Sequence, residues 1–107
     1  MIKSILDTVA IPYKETRFIK PPTCAYIVFD DDYSAGGADG LNLVRRHSVT
    51  FQLFTTDRGV KEQSVIEATL DAAGIEWEKD AAAWEDQAQR YQTNYYFDYV
   101  EKRRAKA

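Results

Sequence analysis

The segment Ala25-Tyr26-Ile27-Val28-Phe29 is apolar at every position and is bounded by Pro21-Pro22 before it and Asp30-Asp31-Asp32 after it. Successive side chains of a strand point to opposite faces, so a strand apolar throughout needs cover on both sides. That requirement places 25–29 at the centre of a layered fold. The chain has 107 residues, enough for one hydrophobic core and too few for two. A hydrophobic content of 45% is that of an ordinary globular domain and not of a disordered one.

The other elements are read against this strand. Ile2, Ile5, Leu6 and Val9 recur at helical spacing, which predicts a short amphipathic helix over 1–10, stopped by Pro12. The stretch 13–19 reads as an edge strand or ordered coil between prolines. Leu43 to Thr55 reads as a long strand, with His47, Val49, Phe51 and Leu53 in phase on one face and Ser48, Thr50 and Gln52 on the other. Between the two strands, Asp30 to Gly40 is rich in Asp, Gly, Ser and Ala, which predicts a hairpin with a long loop at 30–42.

A second helix is expected from about Gly59 to Ala73. Its inward stripe would be Val65, Ile66, Thr69, Leu70 and Ala73, with Gly74 ending it and Thr56 or Asp57 near its cap. Ile75–Lys79 reads as a short strand, and 80–87 as either a helical turn or a hairpin connection. Arg90 to Val100 is the last strand, with Tyr91, Thr93, Tyr95, Phe97 and Tyr99 on one face. The expected architecture is α+β: an antiparallel sheet of about four strands, two helices on one face, and a long hairpin loop. A single domain over 1–101 is followed by a charged flexible tail at 102–107.

With 14 Lys+Arg against 17 Asp+Glu and a net charge of −3, the composition argues against a dedicated nucleic-acid binder. The single cysteine, Cys24, has no internal partner, and no signal-like leader or run of about 20 apolar residues occurs. The expected setting is soluble and reducing.

No catalytic constellation stands out. His47 is the one histidine, without a second histidine or cysteine spaced to share a metal, and reads as a partly buried strand residue. Asp30, Asp31, Asp32 and Asp39 form an acidic cluster, but counting from Asp30 the sixth residue is Ala35 and the twelfth Leu41, which fails the calcium-loop pattern. Gly36-Gly37-Ala38-Asp39-Gly40 lacks the Lys-Ser/Thr of a phosphate loop and leads into a strand rather than a helix. The serines stand in no nucleophile elbow, and Cys24 lies within an apolar strand that disfavours a thiolate. The aromatic stripe of the last strand has too few basic neighbours to be a base-stacking platform and reads as sheet packing. The tail residues Lys102, Arg103, Arg104 and Lys106 could touch nucleic acid or an acidic protein surface, although such a tail is more often simply solvated.

Taken together, the short N-terminal helix, the proline-flanked strand 21–29, the tract Asp32-Tyr33-Ser34-Ala35-Gly36-Gly37-Ala38-Asp39-Gly40, the strand ending Phe51-Gln52-Leu53-Phe54-Thr55-Thr56 and the terminal Tyr91-Gln92-Thr93-Asn94-Tyr95-Tyr96-Phe97 form a recognisable series. It resembles the small tail-completion proteins of long-tailed bacteriophages and prophages, the tail terminator and head–tail joining group. The resemblance covers nearly the whole chain as a pattern of elements. It implies a non-catalytic protein, with no cofactor or metal, that forms a ring, often hexameric, at the head-proximal end of the tail. The implied partners are copies of itself, the tail-tube protein and the head–tail connector or stopper, with no membrane and no sequence-specific nucleic acid. The implied location is the virion tail, assembled in the bacterial host cytoplasm.

A ring needs heterologous contacts that close by rotation, and a sheet edge together with the 30–40 tract are the candidates for them. The expected interface residues are Asp31, Asp32, Tyr33, Ser34, Gly36, Gly37, Asp39 and Arg45, with a weaker tail contact at Lys102, Arg103 and Arg104. Two other readings are open at this level: a small non-catalytic protein- or ligand-binding module, and a metal-dependent enzyme built on Asp30–Asp32. A metal held only by the folded state raises its apparent stability. Thermal unfolding in magnesium, calcium or manganese is therefore expected to match unfolding without them, and a dose-dependent rise with any one ion would favour the metal reading.

Overall fold

α1 (Ile2–Val9) forms where its four apolar residues share one face, and Ile2, Ile5, Leu6 and Val9 are all buried. The computed structural model describes residues 2–36 and 44–102. The elements after α1 are β1 (Tyr13–Glu15), β2 (Tyr26–Gly36), β3 (Val44–Thr55), α2 (Val60–Ala72), β4 (Trp77–Lys79), β5 (Ala83–Glu85) and β6 (Arg90–Lys102). The class is α+β, as expected, but the sheet has six strands and is mixed. Its order is β1-β2-β3-β6-β4, with β5 also paired to β6. None of the described helices is long and apolar enough to cross a membrane.

The frame is the antiparallel triplet β2-β3-β6, which pairs Tyr26 with Phe54 through Gly36 with Val44, and Val44 with Lys102 through Thr55 with Tyr91. The register places Ile27, Phe29, Val49, Phe51, Leu53, Tyr95 and Phe97 on one sheet face. These join Ile2, Ile5, Leu6, Val9, Ile66, Leu70 and Ile75 in a single core. Both helices therefore cover the same face, as their apolar stripes require. Leu6, Ile27, Phe51, Leu53, Ile66 and Leu70 are fully buried, each contributing about 1.5–3 kcal/mol of apolar transfer.

Tyr26 and Val28 on the opposite face are also buried, in keeping with a strand covered on both sides. Their cover is not a helix. Phe18 meets the Tyr26 ring edge-on at 5.3 Å, and Tyr26 stacks on Phe54 at 4.9 Å. The connection carrying Phe18 is tied down by Arg90, which donates to the Thr23 carbonyl at 3.1 Å.

Several sequence expectations are corrected. The 13–19 stretch yields β1, which pairs parallel to β2, so the sheet is not wholly antiparallel. Asp30–Gly36 is strand rather than loop, because these residues extend the ladder with β3. The rest of the expected loop, from 37 to 42, lies outside the described residues. Cys24 is exposed and precedes the strand, so it is not embedded in apolar surroundings. Residues 80–87 carry β5 in a hairpin connection to β6. β6 continues through Glu101 and includes Lys102, the first residue of the expected tail, and residues 103–107 lie outside the described ones.

α2 buries only Ile66 and Leu70, one i, i+4 row. Val65 is exposed, as is Ala73, and Thr69 is half-buried, so the expected stripe is narrowed. Neither Thr56 nor Asp57 caps the helix. Gly59 is its N-cap at φ 71, without a side-chain cap, while the Asp57 carboxylate accepts from the Gly59 N–H at 2.8 Å.

Gly74, at φ +72, ends α2 in the left-handed conformation foreseen for it, and a Cβ there would meet nothing within 4 Å. At Gly59 a Cβ would lie 2.7 Å from Thr55 Cγ2 and 2.8 Å from Thr55 Oγ1. Gly74→Ala is expected to cost about 1–2 kcal/mol, the left-handed penalty alone. Gly59→Ala is expected to cost distinctly more in chemical denaturation, because steric overlap adds to that penalty. Equal costs would contradict the geometry.

Candidate interaction surface

Above the level of Val49 and Phe97 the helix-covered core ends, while β2, β3 and β6 continue to Gly36, Val44 and Lys102. From Val49 to Val44 this overhang is about 16 Å of strand. A three-stranded arm therefore projects from the domain. The Cα radius of gyration is 15.6 Å and the long extent 50 Å, against about 13 Å expected for a compact chain of this length.

On the helix-side face of the arm, register brings together Asp31 and Tyr33 of β2, Arg45 and His47 of β3, and Tyr99 and Glu101 of β6. His47 is the hub and is only 7% exposed. Its Nδ1 lies 2.8 Å from Asp31 Oδ1 and its Nε2 3.3 Å from Glu101 Oε1. An imidazolium donates to both carboxylates, and a neutral ring to one. The ring stacks on Tyr99 at 4.3 Å, 3° from parallel, and lies 5.4 Å from the Tyr33 ring. The Arg45 guanidinium sits 5.0 Å from the Tyr33 centroid. Burial pushes the Tyr99 phenol above its ordinary pKa, and the Asp31 and Glu101 charges push it further. The cluster is thus a polar clamp across all three strands. The carboxylates occupy opposite sides of the ring, so no single ion could be shared by all three groups, and no cluster of potential metal ligands occurs among the described residues.

The opposite face carries Asp30, Asp32, Ser34, Arg46, Ser48, Tyr96, Asp98 and Val100. Here Ser48 donates to Asp98 at 3.0 Å, and Val100 is 56% exposed. The sequence-expected interface residues are therefore divided. Asp31, Tyr33 and Arg45 converge, Asp32 and Ser34 face away from them, and Gly36 ends β2. Gly37, Asp39, Arg103 and Arg104 lie outside the described residues, and Lys102 is the last residue of β6. Tyr99 and Glu101 were missed, and His47 was read only as packing. The signal was present in alternation: extending β2 past Phe29 puts Asp31 and Tyr33 in phase with Ile27 and opposite Val49 and His47.

Among the described residues, no strand pairs with the outer edges of the arm. Ile27 N–H donates to the Pro12 carbonyl, and the Phe29 carbonyl accepts from Thr16 N–H, so odd-numbered residues of β2 turn their backbone groups outward. β1 ends opposite Phe29, and among the described residues no strand lies beside the outward groups of Asp31, Tyr33 and Ala35. On the other side β4 ends opposite Phe97. Beside the core, two side chains converge on Glu67, while the buried Thr93 hydroxyl has no hydrogen-bond partner among the described residues. Tyr95 donates to Glu67 at 2.6 Å, Lys79 donates to the same carboxylate, and burial followed by that bond pushes the Tyr95 phenol strongly upward. A solvent-open recess is lined by Glu76, Trp77, Glu78, Tyr96, Phe97 and Asp98.

Compared with known proteins, the chain matches no family model and no curated protein.

His47→Leu keeps a similar volume but leaves Asp31 without its buried partner. It is expected to cost about 1–3 kcal/mol. Amide exchange should quicken at Val44–Val49 and Phe97–Glu101 while Leu53 and Thr93 stay protected. Uniform quickening along β3 would refute a clamp local to the arm.

Proposed function

We propose that this protein is a structural component of a long-tailed phage or prophage tail, a tail terminator or head–tail joining protein that assembles into a ring at the head-proximal end. The observation that carries this reading is the three-stranded arm, which runs past its helical cover and has no strand along either outer edge among the described residues. Exposed strand edges are templates for pairing, and natural proteins blunt them or use them. Here the arm is held rigid by the His47 clamp and presents Tyr33 and Val100, both more than half exposed, on opposite faces. A rigid sheet with two open sides suits heterologous contacts that close into a ring. The whole-chain resemblance of element order and of the 32–40 tract supports the same reading. Its partners are further copies of this chain, tail-tube subunits and the head-side connector, and it transforms no substrate.

Electron microscopy and light scattering of the chain, alone and mixed with tail-tube subunits, test this. Discrete rings, or tubes that stop elongating once the chain is added, are expected. Tubes that elongate unchanged beside a monomeric chain would overturn the reading. Val100→Asp should leave the unfolding free energy within about 0.5 kcal/mol, as for other exposed sites, and abolish assembly.

A further inference from the structure

The open edge of β2 differs in charge from the rest of the arm. Asp30 and Asp32 flank it on the outer face; both are exposed, and neither has a hydrogen bond or ion pair among the described residues. The backbone groups of Asp31, Tyr33 and Ala35 point out along it. An extended segment that paired here would satisfy those groups and would meet two uncompensated carboxylates. The complementary segment lies in this chain. From the last residue of β6 onward the sequence reads Lys102-Arg103-Arg104-Ala105-Lys106. In an extended conformation Lys102, Arg104 and Lys106 share one face, and Arg103 and Ala105 the other.

The segment cannot lie along its own β2 edge. Lys102 is level with Val44 and Gly36, two strand spacings from β2, so Asp32 is about 16 Å away on the diagonal. Residues 103–106 span at most about 14 Å, and β6 leaves the arm pointing away from Asp32, so a turn would use part of that reach. The occupant must come from another molecule.

We infer that the basic 102–106 segment of one copy adds as a strand to the Asp30–Gly36 edge of the next. Each copy then has one donor segment and one acceptor edge, a heterologous contact. Main-chain bonds supply the pairing, and Lys102, Arg104 and Lys106 set the face by meeting Asp30 and Asp32. The contact goes beyond the assembly reading and rests on it for the presence of a neighbouring copy.

Sedimentation equilibrium of the full chain at low and at half-molar salt tests the contact. Self-association is expected at low salt and should weaken at high salt, where opposite charges are screened. Arg103→Glu with Arg104→Glu, and separately Asp30→Arg with Asp32→Arg, should each weaken association by about tenfold or more, equivalent to some 1.4 kcal/mol. Mixing the two charge-reversed chains should restore association between them. Thermal unfolding should be unchanged in the first variant. As a second measurement, a peptide of residues 100–107 added to the isotopically labelled full chain should shift the amides of Asp31–Gly36. Association that survives Arg103→Glu/Arg104→Glu at full strength would overturn the strand addition and leave ring assembly through another surface standing. A chain that stays monomeric at low salt, with no amide shift from the peptide, would remove both this contact and unaided self-assembly.

Discussion

The continuous pairing of β3 on both of its sides organises this molecule. From Val44 to Thr55 every residue of β3 has a partner on β6, and from Val44 to Phe54 a partner on β2. A strand bonded on both edges for its whole length has no freedom of register. A slip of one residue would turn Val49, Phe51 and Leu53 out of the core and His47 away from Asp31 and Glu101. The helices cover only one end of this ladder. The other end persists because its side chains replace hydrophobic cover with stacked rings and charge-assisted bonds.

That division explains which parts could be read from the residues alone. Strict alternation through Val49, Phe51 and Leu53, and through Thr93, Tyr95 and Phe97, marks the core strands, and the Ile2, Ile5, Leu6, Val9 spacing marks α1. These signals are local and apolar. The outer half of β2 has neither property. Asp30-Asp31-Asp32 followed by Tyr-Ser-Ala-Gly is turn chemistry by local preference, and it becomes strand because Ser48, Val49 and His47 wait opposite. β-preference depends on cross-strand neighbours more than on the residue itself. The position of β1 was hidden for a similar reason. Three residues carry little periodicity, and their parallel pairing to Ile27–Phe29 depends on the path of the connection behind Phe18. For the candidate surface, Asp31, Tyr33 and Arg45 were identifiable as polar residues near the hairpin tip. Their union with His47, Tyr99 and Glu101 needed the register, which sequence separation conceals.

The two ends of the sheet also differ in how their polar groups are used. Near the core, Glu67 accepts from both Tyr95 and Lys79, and Trp77 donates to Asp71, so the side chains that join α2 to β4 and β6 are internally matched. In the arm, the His47 cluster joins three strands on one face, while on the other Ser48 donates to Asp98 and Asp30 and Asp32 have no hydrogen bond or ion pair among the described residues.

The clamp draws its two carboxylates from distant parts of the chain. Asp31 is 16 residues from His47, and Glu101 is 54. During synthesis on the ribosome, the β2–β3 hairpin emerges long before β6 exists, so nascent chains carry half of the clamp and a bare β3 edge. Only the arrival of β6 converts that edge into the centre of a ribbon and creates the second outer side. Translation order therefore acts as a timer: a polypeptide still being made lacks the finished arm.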